Sequence, residues 1–301
     1  MASLFPFVQL EFTHALGPDA GRYVIAPDGG VESAAPDALG SADLLLLEHV
    51  GARTASEGGL IRRKTRPAAP GEEPAPVALA LATIIRATSR TPSEADAQKL
   101  LRAIDSSEEE QEKWIAAAIA DLNLAIRAYR VAALDPYAIE VTRADPRRVR
   151  IGYGNGADVY KGAWSAAIAI PAPRAPKLRR GEKLAPTEAV AGVLSGRAFA
   201  LDSESLIMRA LLDVDQGRTR SAAVQLRAGY EMFWAEVTNE SPPSSVSEPL
   251  TKLKVGEQAV TDLAERGLRE PSDSPELGER VAEVCTEILS VVSTWRYELL
   301  R

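Results

Sequence analysis

The chain has 301 residues, with 35 Lys+Arg against 42 Asp+Glu for a formal net charge of −7, and it is 46% apolar and 26% charged. That balance excludes wholesale disorder, collagen-like repeats and a disulfide-built scaffold, and the length suits two modest domains or one large domain with an appendage. A single cysteine, Cys285, cannot form an intramolecular disulfide, and its place in an apolar-periodic helical stretch predicts a buried thiol in a reducing compartment.

The N-terminal Met1–Val8 carries no cationic leader, and Pro6, Gln9 and Glu11 interrupt the apolar stretch, so it does not read as a signal peptide. The first ninety residues then alternate short apolar runs with Gly/Pro-rich breaks, which is strand patterning. Strands are expected at Leu4–Phe12, Arg22–Ala26, Asp43–Val50 and Val77–Arg86, with Gly17-Pro18-Asp19-Ala20-Gly21 as a hairpin turn between the first two. The stretch Gly51–Pro76 holds Arg62-Arg63-Lys64-Thr65-Arg66 and a run of prolines, and reads as a mobile loop.

Helices are expected from Thr91, as an N-cap followed by Pro92 and Glu94, and from a capping box at Ser107 and Glu110. The second helix has a continuous stripe of Ile115, Ile119, Leu122, Ile126, Tyr129 and Ala133, and Asp135-Pro136 ends it. Tyr137–Thr142 and Arg148–Tyr153 then look like a strand pair, with Ala166–Ile170 as a further strand. Residues 171–186 are basic and proline-rich and read as a linker.

The remainder is helical. Asp202/Ser203 caps a helix stopped by Gly217, and Thr219 starts its hairpin partner through Val237. Ala210–Val237 is similar to one tetratricopeptide-like unit, but a single copy implies a helical hairpin and no array. Ser247 opens another helix carrying Leu250, Leu253, Val260 and Leu263, and Ser274-Pro275-Glu276 opens the last, with the stripe Leu277, Val281, Val284, Ile288, Val291, Trp295. The predicted fold is therefore α+β: an antiparallel or mixed sheet with two helices over 1–170, the linker 171–186, and a helical bundle over 187–301. No stretch approaches the roughly 18 apolar residues of a bilayer span.

Chemistry is harder to find. Ile151-Gly152-Tyr153-Gly154-Asn155-Gly156 through Gly162 resembles the glycine-rich loop of protein kinases over these twelve residues, where backbone N–H groups approach nucleotide phosphates. Its third glycine arrives one residue early, however, Pro171 stands where the kinase lysine would follow, and neither a His-Arg-Asp nor an Asp-Phe-Gly string exists. Only His14 and His49 are present; convergence with Glu11 and Glu48 into a metal or acid/base site would require a bend, because strand alternation separates each histidine from its neighbouring acid. Gly192–Gly196 lacks the spacing of a serine nucleophile elbow, and Cys285 has no nearby base in the sequence. Acid pairs such as Asp213 and Asp215, or Glu108-Glu109-Glu110, are explained by helix ends.

One segment stands apart electrostatically. Residues 143–183 hold Arg147, Arg148, Arg150, Lys177, Arg179, Arg180 and Lys183 among ten bases, opposed by Asp145, Asp158 and Glu182. With 27 Arg to 8 Lys in the whole chain, a bias typical of GC-rich bacterial genomes, arginine clusters carry reduced weight. The expectation is a non-enzymatic cytoplasmic interaction or assembly protein with a protein partner or a second copy of itself, no metal, cofactor or catalytic residues, and no membrane. The alternative is nucleic-acid or nucleotide binding, with Arg147, Arg148, Arg150, Gly154, Gly156, Lys177, Arg179, Arg180 and Lys183 as anion contacts.

Overall fold

The structure, a computed structural model, describes residues 3–25, 42–50, 79–159, 161–173, 180–238 and 242–300. The chain divides into two compact units, Met1–Ala175 and Pro176–Arg301. The first holds a six-stranded antiparallel sheet and the second is helical, an α+β architecture.

In the N-terminal unit the strands are β1 (Leu4–Phe12), β2 (Gly21–Ile25), β3 (Asp43–Val50), β4 (Leu79–Ile85), β5 (Arg148–Asn155) and β6 (Ala166–Ile170), in the order β2-β3-β4-β1-β5-β6. The expected hairpin between β1 and β2 is not formed: β1 pairs with β4 and β5, and β2 pairs with β3 at the sheet edge. The reason is burial. From Phe7 to Phe12 every β1 residue is buried, so this strand requires neighbours on both sides and cover on both faces, whereas three of the five residues of β2 are exposed.

Helices α1 (Glu94–Asp105) and α2 (Glu108–Ala132) cover one face. Val8, Leu10 and Phe12 of β1, with Leu45, Leu47, Ala82, Ile84, Val149 and Ile151, pack there against Ile104, Ile115, Ala118, Leu122 and Ile126. The predicted α2 stripe thus forms the core, except that Ala133 lies past the helix end and is exposed. Ser107 caps α2 through the Glu110 N–H as expected, but α1 is capped by Ser93 and not Thr91, whose backbone instead bridges to Leu4. The stretch Gly51–Pro76, expected as a mobile loop, lies outside the described residues.

On the opposite face Phe7, Leu44 and Ile85 meet Val159 of the one-turn helix α3 (Gly156–Val159), which folds back over the sheet from the end of β5. Within the sheet, the neighbouring strands β6 and β1 crowd β5 so closely that a Cβ on Gly152 would lie 2.7 Å from Ala167 Cβ and 2.8 Å from Phe7 Cζ. Glycine is therefore required by proximity.

Residues Tyr137–Thr142 are not a strand. Both sides of β5 are already occupied, and the segment takes its backbone hydrogen bonds from a side chain instead: Asn123 of α2 donates to the Val141 carbonyl (2.9 Å) and accepts from the Val141 N–H (2.8 Å). Arg130 adds a 2.8 Å ion pair to the buried Glu140.

The C-terminal unit contains α4 (Arg180–Leu194), α5 (Asp202–Asp215), α6 (Thr219–Val237), α7 (Ser244–Val255), α8 (Glu257–Arg269) and α9 (Pro275–Leu299). Helix α4 begins inside the stretch read as a linker and carries Pro186 internally. The α5–α6 hairpin is present, its turn held by Arg218 donating to the buried Asp213. Its cap differs from expectation: Glu236 of α6 reaches across to accept from the Asp202 N–H (3.0 Å), the Ser203 N–H (3.3 Å) and the Ser203 hydroxyl (2.6 Å). The single helix expected from Ser247 is two, α7 starting at Ser244 and α8 following Gly256, which is the C-cap of one and the N-cap of the other. Leu226, Phe233, Val281, Cys285, Ile288, Val292 and Trp295 are among the buried residues of this core.

Candidate functional site

The register of the sheet decides what the predicted anion contacts can do. Arg148 and Arg150 of β5 pair directly with Glu11 and Gln9 of β1, so all four side chains share the face opposite α1 and α2. Arg150 donates to Gln9 Oε1 (2.9 Å), Gln9 donates to Thr83 Oγ1 (3.2 Å), and the Arg150 guanidinium stacks over the Trp164 ring at 5.4 Å. The Glu11 carboxylate lies 3.7 Å from Arg150 and 3.8 Å from Arg148. Two of the three clustered arginines therefore face a carboxylate. Arg147 and Arg148 are exposed, and the Arg147 backbone N–H donates to the Glu11 carbonyl (2.7 Å).

The glycine-bearing turn is occupied internally. A Cβ on Gly154 would meet Val159 Cγ2 at 2.6 Å, and Gly156 opens α3. The Asp158 N–H donates to Asn155 Oδ1 (3.0 Å), the Lys161 and Ala163 N–H groups to the Asp158 carbonyl, and the Gly162 N–H to the Val159 carbonyl. These donors serve the turn itself. Lys177 and Arg179 lie outside the described residues, while Arg180 and Lys183 fall in the first turn of α4, in the other unit.

The strand register separates His49 from the two acids. Glu11 and Glu48 flank Leu81 on one face, while His49 pairs with Ala80 on the other, as alternation requires. Among the described residues no group of three or more His, Cys, Asp or Glu is placed to hold a metal ion. Cys285 is fully buried, and burial pushes its thiol up to about 12, so it is held neutral.

What sequence reading missed lies at the end of α2. Within nine residues four large apolar side chains are exposed: Val131 (67%), Leu134 (86%), Tyr137 (86%) and Ile139 (71%). Leu134 has a positive φ of 52°, a conformation a branched hydrophobe rarely adopts, and it turns the chain out of the helix with its side chain in water. Leu124, also exposed, lies two turns before Val131 on the same outer face of α2. The signal was available in the sequence: Leu124 and Val131 fall off the buried stripe.

Tyr137 and Ile139 also line a cavity of about 540 Å³, whose opposite wall is the loop after β1. That wall includes His14 and Gly17, and Gly17 has φ +102° with its α-carbon so close to the Tyr129 ring that a Cβ would sit 2.9 Å from Cδ1. The acids lining the cavity are Asp135, Glu140 and Asp145.

Among the described residues no helix is long and apolar enough to cross a membrane. Compared with protein-family models, curated proteins and solved structures, the chain gives no match in any of the three. The geometry alone, an antiparallel sheet unit with an exposed apolar rim beside a cavity and a separate helical unit, bears on function.

Proposed function

We propose that this chain is a non-enzymatic, cytoplasmic interaction or assembly module that docks a protein partner on the apolar rim at the C-terminal end of α2. The supporting observation is the exposure of Val131, Leu134, Tyr137 and Ile139 together on a segment that is firmly anchored beneath by Asn123 and Glu140. Single exposed hydrophobes are ordinary, but four in one short segment, presented on a rigid support, are a feature of interaction sites. A cytoplasmic setting fits the lone thiol buried in the core of the helical unit.

Light scattering across a concentration range and affinity capture, each with the wild type and with Leu134→Asp/Ile139→Asp, test this. The expected result is a complex formed by the wild type and lost by a double variant that keeps the wild-type Tm. Indistinguishable behaviour of the two proteins refutes the reading.

One observation favours a second reading, contact with a polyanion: Arg147 and Arg148 are adjacent and exposed at the start of β5. Oligonucleotide binding that weakens with salt and with Arg147→Ala/Arg148→Ala would support it, and no binding at low salt eliminates it.

A further inference from the structure

We infer that the cavity beside the apolar rim receives a basic side chain, arginine or lysine, from a partner protein segment in which that residue is flanked by apolar ones. This deepens the docking reading above and rests on it.

The charged groups lining the cavity are all acidic. Asp135, Glu140 and Asp145 contribute carboxylates, and among the described residues no lysine or arginine lines it. Glu140 is committed to Arg130, which lies behind it and also approaches the Ala138 carbonyl at 3.5 Å. Asp135 accepts the Tyr137 N–H through Oδ1 alone (2.9 Å), and Asp145 accepts the Thr142 N–H (2.6 Å) and hydroxyl (2.9 Å) through Oδ2 alone. Each of these two aspartates thus spends one oxygen on holding its own turn, and among the described residues the other accepts from no protein donor. They are pre-oriented acceptors, and together with Tyr129 and Tyr137 they supply the carboxylate and aromatic surfaces that a guanidinium or ammonium group prefers.

The rim supplies the rest of the recognition. Ile139 and Tyr137 belong to both cavity and rim, so a segment whose basic residue enters the cavity lays its neighbouring side chains over them and toward Leu134 and Val131. Apolar flanks match that surface. An acidic segment would instead place its carboxylates against Asp135 and Asp145, a like-charge arrangement that the site disfavours.

The probe is a peptide carrying fluorescein on its N-terminal amine, fluoresceinyl-Ala-Leu-Arg-Val-Leu-Ala-amide, compared by anisotropy with its citrulline analogue, which keeps the shape and removes the charge. The arginine peptide is expected to bind the full-length protein, the citrulline peptide about fivefold or more weakly. Asp135→Asn and Asp145→Asn preserve the acceptor oxygens that hold the two turns, so both variants should fold. Each is expected to lower affinity for the arginine peptide while leaving the citrulline peptide unchanged. Equal binding of the two peptides, or no binding up to 1 mM peptide, overturns the inference. If Leu134→Asp/Ile139→Asp abolishes a complex that Asp135→Asn/Asp145→Asn leaves intact, docking stands and the basic-residue assignment fails. If light scattering shows a second copy seated on the rim and insensitive to the two Asn substitutions, that also overturns the assignment. If no variant alters any complex, both readings fail together.

Discussion

Replacing Asn123 by Ala removes the support of the exposed apolar segment without touching its surface. The Asn123 amide makes two buried hydrogen bonds to one residue, donating to the Val141 carbonyl at 2.9 Å and accepting from the Val141 N–H at 2.8 Å. Truncation leaves both backbone groups of Val141 without partners, in a residue that is 3% exposed and packed in the sheet core. Each orphaned buried group costs about 1–3 kcal/mol, so the loss should be about 3 kcal/mol once partial relaxation is allowed. Asn123→Asp should do no better, because it keeps the acceptor for the N–H but presents oxygen to the carbonyl and buries a charge. Amide hydrogen exchange reads the effect site by site: protection at Val141 should fall together with that of neighbouring amides from Tyr137 to Thr142, and urea unfolding of the N-terminal unit should shift to lower midpoint. A loss below about 0.5 kcal/mol, within the range of ordinary surface changes, with Val141 still protected would show that the amide clamp does not hold the segment.

Further outcomes follow from other contacts. Gly152→Ala should destabilise the sheet unit strongly, by roughly 2 kcal/mol or more, since its Cβ would press on Ala167 and Phe7 where the neighbours are strand and core; a wild-type Tm would contradict the close approach. Glu236→Ala removes the acceptor for the first amides of α5 and should cost about 1–2 kcal/mol, measured by chemical denaturation of the helical unit. The Cys285 thiol, pushed up to about 12 by burial, should resist alkylation in the native protein at pH 8 and react at the rate of unfolding. The unfolded state ionises this thiol at lower pH than the folded state, so the unfolded chain binds fewer protons there. Stability from this group is full below the thiol's ordinary value of 9.0 and declines as pH rises toward about 12, and Cys285→Ser should remove that slope.

Much of the fold was legible in the sequence. The four N-terminal strands, the stripe of α2 and the stripe of α9 follow from the period of their apolar residues, and the caps at Ser107 and Ser274 from local chemistry. Even the misplaced start of α1 was off by two residues. The strand order was not legible, because a period of two says which residues share a face and leaves open which strands are neighbours; the burial of β1 on both faces, resolved only by long-range pairing with β4 and β5, set it in the interior. For the same reason the neighbours of the basic cluster were not legible: the register aligns Arg148 and Arg150 with Glu11 and Gln9, residues about 140 positions away.

The exposed apolar rim shows the division most clearly. The sequence reading defined the buried stripe of α2, from which Leu124 and Val131 are absent, and ended the helix at Asp135-Pro136, which is as far as local periodicity reaches. Only the tertiary structure decided that Tyr137–Thr142 would be pinned by Asn123 as an irregular segment and not pair as a strand, because both edges of β5 were already taken. Backbone hydrogen-bonding capacity must be satisfied somewhere, and with both sides of β5 already paired, a buried side-chain amide did so for Val141 and left Tyr137 and Ile139 facing water.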